Sequence, residues 1–171
     1  AQPGKKLVFM GGEFGQWTEW ARDRSPDWHL LESSLHNGLQ HWMRDLNQLY
    51  RTEAAMHESD FFPDGFKWID CNDSVHSTIS LIRRDRQNAS EVIAVFNFTP
   101  VPRQNYRVGA PRSNFWRELL NSDAREYGGS GQGNLGSLEA APVPFHGMSH
   151  SLNLTLPPLS AVFLRPAEDP S

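Results

Sequence analysis

The residues Leu7-Val8-Phe9-Met10 form an unbroken apolar run, followed at once by Gly11-Gly12, the carboxylate Glu13, Phe14, Gly15 and Gln16. A short continuous apolar run that exits through glycines predicts a strand buried on both faces. Trp17, Glu19 and Trp20 come next. Polar and aromatic residues massed just past the C-terminal end are what a strand of an α/β barrel shows where it feeds the active-site rim. The constraint is severe, because a strand buried on two sides needs neighbours and this chain supplies few ahead of it.

Residues 11–32, GGEFGQWTEWARDRSPDWHLLE, are too rich in charge and tryptophan for a linker. Irregular stretches of this length in compact domains are usually functional. Ser33 or Ser34 then offers an N-cap. Leu35, Leu39, Trp42, Met43, Leu46, Leu49 and Tyr50 recur at helical spacing and predict one apolar stripe on a helix ending near Arg51. Gly38 costs this helix roughly 1 kcal/mol against alanine without breaking the pattern. Strand, rim loop and helix make one β-α unit, and one unit cannot close a barrel.

The character changes after Met56. Pro63-Asp64-Gly65 signals a turn, and short apolar runs follow. They are Phe66–Ile69, an alternating stretch from Val75 to Ile82, Val92–Phe96, Tyr106–Val108, Phe115–Leu120, Leu152–Leu156 and Ser160–Leu164. Val92–Phe96 is continuous and predicts a central strand. Arg83, Arg84 and Arg86 predict a solvated hairpin connection. Short strands separated by turn residues predict an antiparallel β-sandwich. The expected division is therefore 1–56, one strand-loop-helix unit of barrel type, and 57–171, an all-β sandwich, so the chain is mainly β. The stretch from Tyr127 to Asn134 holds four glycines but lacks the Gly-Lys-Ser/Thr ending of a phosphate loop. Its glycines predict positive φ or a close approach to a neighbouring unit.

Charge and composition remove several functions. The net charge of −4 argues against nucleic acid or an anionic membrane as main partner. No apolar run approaches the roughly 18 residues of a membrane-spanning helix. The opening residues AQPGKK show no signal-peptide pattern. The single cysteine, Cys71, cannot form an internal disulfide, which fits a reducing cytoplasm. His36 and His41 are five apart, and no carboxylate or cysteine completes a ligand set around the seven histidines, so neither a metal nor a cofactor is expected.

With these segments in view, the sequence resembles the 1,4-α-glucan branching enzymes of the α-amylase superfamily. Gly4–Gln16 resembles the segment around their eighth barrel strand. Asp27–Glu32 and Asp45–Tyr50 resemble the pieces that enter and end the eighth helix, which implies that 1–56 is the terminal β-α unit of a (β/α)8 barrel. Asn97–Arg103, Tyr127–Asn134 and Ser151–Pro158 resemble their C-terminal β domain, and together the matches cover nearly the whole chain. The resemblance implies cleavage of an α-1,4-glucan and rejoining of the cut piece through an α-1,6 bond. That is retaining chemistry, which uses two carboxyls about 5 Å apart across the scissile bond. In the family the catalytic carboxylates come from earlier barrel strands, and their motifs are not found here. No catalytic residue is expected in this chain.

What the chain could offer is contact with an α-glucan. Glu13 just past the strand, Gln16 as a hydroxyl partner, and Trp17, Trp20 and Trp28 as flat faces for glucose rings are the candidate substrate-binding residues. Each has a plainer reading, Glu13 as a satisfied buried carboxylate and the tryptophans as pins for the loop, the latter weighing most for Trp28 beside Leu30-Leu31. The expected partners are an α-glucan and the remainder of a barrel. The alternative is a non-catalytic β-sandwich that binds glucan or supports a neighbouring domain.

Overall fold

A computed structural model describes residues 1–167. Helix α1 (Ser34–Thr52) and the single-turn α2 (Ala54–His57) precede eight strands: β1 (Phe66–Asp70), β2 (Thr78–Arg84), β3 (Glu91–Asn97), β4 (Arg103–Ala110), β5 (Phe115–Asn121), β6 (Ser137–Glu139), β7 (His150–Leu156) and β8 (Ser160–Pro166). One sheet has the order β1-β2-β3-β8-β5-β6, and β4 pairs with β7 in a second. Every ladder is antiparallel.

The alternation of side chains along β2, β3 and β8 divides the core in two. Ile82, Ile93, Val95, Val162 and Leu164 face the small sheet and meet Val108, Leu152, Leu154 and Leu156. Leu81, Val92, Ala94 and Phe163 face the other way and meet Leu49, Ala55 and Met56, with Trp42, Leu46 and Tyr50 packed beside them. The molecule therefore has three layers, small sheet, large sheet and helix. β3 lies in the middle layer with its apolar side chains buried on both faces, which is why Val92–Phe96 reads as a continuous run. The second sheet is only two strands wide, so the expected sandwich is lopsided and α1 supplies its third layer.

Helix α1 begins after Ser33, whose backbone is extended as an N-cap requires. At its other end the His57 ring reaches the carbonyls of Tyr50 and Glu53 at 2.9 and 3.1 Å, and Glu53 bonds Arg165 of β8 at 3.0 Å. Gly38 has a use beyond helix formation. A Cβ there would stand 2.5 Å from the carbonyl oxygen of Tyr127, so only glycine lets the Gly-rich loop lie against the helix.

Three expectations need correction. Leu7–Met10 is not a strand. It lies as irregular chain with all four side chains exposed, Leu7 by 86%. No described segment lies alongside to complete its ladder, and an isolated extended run has nowhere to place its backbone hydrogen bonds. Arg83 is not in a solvated turn. It is an interior residue of β2 with no exposed surface, and it bonds Asp60 at 2.6 Å and the Gly65 carbonyl at 3.0 Å. β2 starts at Thr78 rather than Val75, because Ser77 takes a positive φ of 51° and Val75 is exposed. The short strand β6, carried by Leu138 alone, had no periodic signal.

Candidate functional site

The stretch after Met10 folds back on itself. The amides of Phe14 and Gln16 both bond the Gly11 carbonyl, at 3.3 and 3.0 Å, and Gly11 and Gly15 take positive φ values of 81° and 68°. Phe14 is fully buried beneath Trp28, with ring centroids 5.0 Å apart. Its carbonyl is held by the buried His36 of α1 at 2.8 Å. The loop is thus pinned to the helix from within, while its tryptophans Trp17, Trp20 and Trp28 stay exposed.

The five candidate side chains divide by environment. Glu13 is half-buried and has no hydrogen-bond or ion-pair partner among the described residues. It stands between two hollows. One of about 370 Å³ also has Gln40, His41, Met43, Arg44 and Asn47 in its walls, and one of about 400 Å³ has Val8, Met10, Pro26, Trp28 and Asn47. Gln16 is engaged within the loop: its Nε2 donates to the Thr18 carbonyl at 2.8 Å and its Oε1 accepts from the Asp27 amide at 2.9 Å. Trp17 is 79% exposed and stands edge-to-face with His36, 5.1 Å between ring centroids. Trp20 meets the edge of Phe9 at 5.8 Å, so it belongs to the same exposed apolar surface as Leu7–Met10. Trp28 lines the second hollow but also covers Phe14.

Glu13 and Trp28 therefore share one concave surface, whereas Trp17 and Trp20 are not in the walls of either hollow. The α1 residues around Glu13 were missed. His41, Arg44 and Asn47 recur every third residue, a polar row beside the apolar stripe, and that spacing was the available signal. Arg44 is paired with Asp45 at 3.0 Å. That hydrogen bond, against the effect of burial and with help from the Tyr127 hydroxyl at 2.9 Å, holds the Asp45 carboxyl below the usual carboxylate range. The Tyr127 phenol is pushed well up, first by burial and then by Asp45. With the Trp42 edge 5.3 Å from the Tyr127 ring, these contacts fix the Gly-rich loop to the far side of the helix.

Among the described residues Glu13 is the one carboxylate in the walls of the two hollows, so neither presents a carboxylate pair of the kind glycosidic cleavage uses. Among the described residues no group of three or more His, Cys, Asp or Glu side chains is placed to hold a metal ion, and no helix is long and apolar enough to cross a membrane.

The chain is 55% identical over 165 residues to the 1,4-alpha-glucan branching enzyme GlgB of Aquifex aeolicus, covering 96% of this chain and 26% of that protein. Against the enzyme of the same name from Aromatoleum aromaticum, identity is 56% over 169 residues, 99% of this chain and 26% of the relative. The Thiobacillus denitrificans enzyme is 53% identical over 97% of the chain and 22% of its own length. The chain thus spans about a quarter of the length of the curated relatives it matches. Residues 68–167, from β1 to the end of β8, match the family described as alpha amylase, C-terminal all-beta domain. By that match, which takes in all eight strands but the first residues of β1, the chain belongs to the alpha-amylase C-terminal all-beta domain family.

Proposed function

We propose that this chain is the C-terminal portion of a 1,4-α-glucan branching enzyme, with residues 1–56 completing a catalytic barrel and residues 57–171 forming its β domain. The observation that carries the reading is the surface at Leu7–Met10. Its four consecutive apolar side chains are 45–86% exposed and lead directly to an unpartnered Glu13. An exposed apolar patch of this kind is an interaction surface, and an apolar run left without pairing suits a barrel segment whose neighbours lie outside these residues. The names and identities of the relatives support the same assignment.

The carboxylates that cleave and transfer the glucan then lie outside these residues. Glu13 accepts hydrogen bonds from sugar hydroxyls, Trp20 and Trp17 offer flat faces to glucose rings, and Trp28 and Gln16 hold the loop that presents them. The exposed single thiol of Cys71 suits a reducing cytoplasm.

The test is loss of iodine colour from linear glucan. The complete polypeptide should branch it and the 171-residue chain alone should not; branching by the chain alone would overturn the assignment. Trp20→Ala in the complete polypeptide should lower kcat/KM about tenfold, the loss of one ring-stacking contact. Unchanged kinetics there would remove Trp20 from the contact surface.

A further inference from the structure

A second concavity belongs to the β domain and lies away from the Glu13 loop. It has a volume of about 650 Å³, within the range of small-ligand sites. Its walls are the β1–β2 connection, the first half of β4 and the loop before β7. β4 is part of the small sheet, so this wall stands across the large sheet from α1.

One wall is rigid. Asp73 accepts from the His76 amide at 3.0 Å, from the Tyr106 hydroxyl at 2.9 Å and from the Thr78 hydroxyl at 3.1 Å, and its carboxylate lies 2.8 Å from the His76 ring. Burial works to raise this carboxyl, but the combined donors bring it down to about 2. The other side chains are less committed. Arg107 spends one Nη on the Ser151 hydroxyl at 2.8 Å and has no further partner among the described residues. Arg103 keeps a buried Nε without a partner, and an unmet buried donor is costly. Phe145 is 37% exposed and lies against His146, which is 3.6 Å from Asp70.

The charges decide what fits. Asp70 and Asp73 repel an anion such as phosphate, and Arg103 and Arg107 repel a cation. A neutral molecule that donates to carboxylates, accepts from guanidinium groups and offers an apolar face to a ring satisfies every wall. A pyranose has all three properties, with its axial C–H face and its ring of hydroxyls. We propose that this cavity is a saccharide-binding site, separate from the Glu13 loop and able to hold one or two hexose units. Its position would let the β domain hold one part of a glucan while another part is elsewhere.

The test is a titration of the isotopically labelled chain with maltotriose, followed by amide chemical shifts. Saturable shifts are expected at Asn105, Arg107 and His146. Phe145→Ala should weaken them about tenfold, and Phe145→Tyr should keep them. Asn105→Gly gives a second variant with little risk to folding, because Asn105 already takes a positive φ of 57° that glycine adopts freely; it should also weaken binding. Trp20→Ala should leave the cavity shifts intact, so failure of the Glu13-loop reading and failure of this one are distinguishable. Shifts confined to the loop around Trp20, saturation by inorganic phosphate in place of maltotriose, or no saturable shift at all would each overturn the proposal.

Discussion

Leu7–Met10 and Val92–Phe96 look alike as sequence and meet opposite fates. Both are short, unbroken apolar runs. Val92–Phe96 becomes the inner part of β3, hydrogen-bonded to β2 on one side and β8 on the other, with four of its residues wholly buried. Leu7–Met10 has neither neighbour and stays exposed. An unbroken apolar run therefore reports what a segment requires, burial on two faces and pairing on two edges. It does not report whether this chain meets the requirement. β3 is satisfied within residues 1–167. The N-terminal run is not, and its four side chains stay exposed.

The largest effects test this directly. Val95→Asp would bury an unpaired carboxylate between the sheets, a change among the few that exceed about 4 kcal/mol, and thermal or urea unfolding should show little or no folded chain. Phe9→Asp should leave the melting transition within about 0.5 kcal/mol, as for other surface substitutions. Amide exchange should show protection across Val92–Phe96 and none across Leu7–Met10 in the chain alone. If Phe9→Asp unfolds the chain, the two runs are equivalent after all and the exposed surface is misassigned. If residues 1–56 complete a barrel, as proposed, protection of Leu7–Met10 should appear in the complete polypeptide.

What was legible in the sequence follows the same division. The α1 stripe and the strands β3, β5, β7 and β8 were readable because their side-chain period is local and their partners lie within the chain. Arg83 was misread for the converse reason. A cation next to Arg84 and Arg86 looks solvated until the distant Asp60 is known to face it. Gly38 looked like a weak point in a helix, and its reason, the approach of Tyr127 some ninety residues later, has no local mark. For the Glu13 site the loop was identifiable by composition. Its division into Glu13 and Trp28 on a concave surface, Gln16 turned inward, and Trp17 and Trp20 outside depends on the fold-back at Gly11, which periodicity does not encode.

Asp60 measures how firmly the N-terminal segment is joined to the β domain. Its carboxylate meets Arg83 at 2.6 Å, the Tyr50 hydroxyl at 2.6 Å and Lys6 at 3.1 Å, linking β2, α1 and the segment that leads to Leu7. Burial raises this carboxyl, but the bonds from Tyr50, Arg83 and Lys6 outweigh it and hold it below the usual range. Asp60→Ala would leave the fully buried Arg83 guanidinium without its counter-charge, and unfolding should register a loss of about 3–5 kcal/mol. Lys6→Ala removes only the more exposed arm and should cost less than about 1 kcal/mol. A Lys6→Ala effect as large as that of Asp60→Ala would mean that the N-terminal segment is an integral part of the core.

A pH-dependent effect separates this junction from the β1–β2 connection of the β domain. Asp73, hydrogen-bonded to Tyr106, His76 and Thr78, has its carboxyl lowered to about 2. A carboxyl lowered in the folded state stabilises the fold fully above its unfolded value, about 3.9, and that contribution is lost as the pH falls toward 2. The stabilisation at stake is on the order of 2 kcal/mol. Asp73→Asn should abolish this share of the acid sensitivity, read as a shallower fall of unfolding free energy between about pH 4 and pH 2. It should leave the step due to Asp60 in place, because the two carboxylates share no partner. If Asp73→Asn flattens the whole acid profile, the two hubs are coupled through β2, and the N-terminal segment and the β domain unfold as one unit.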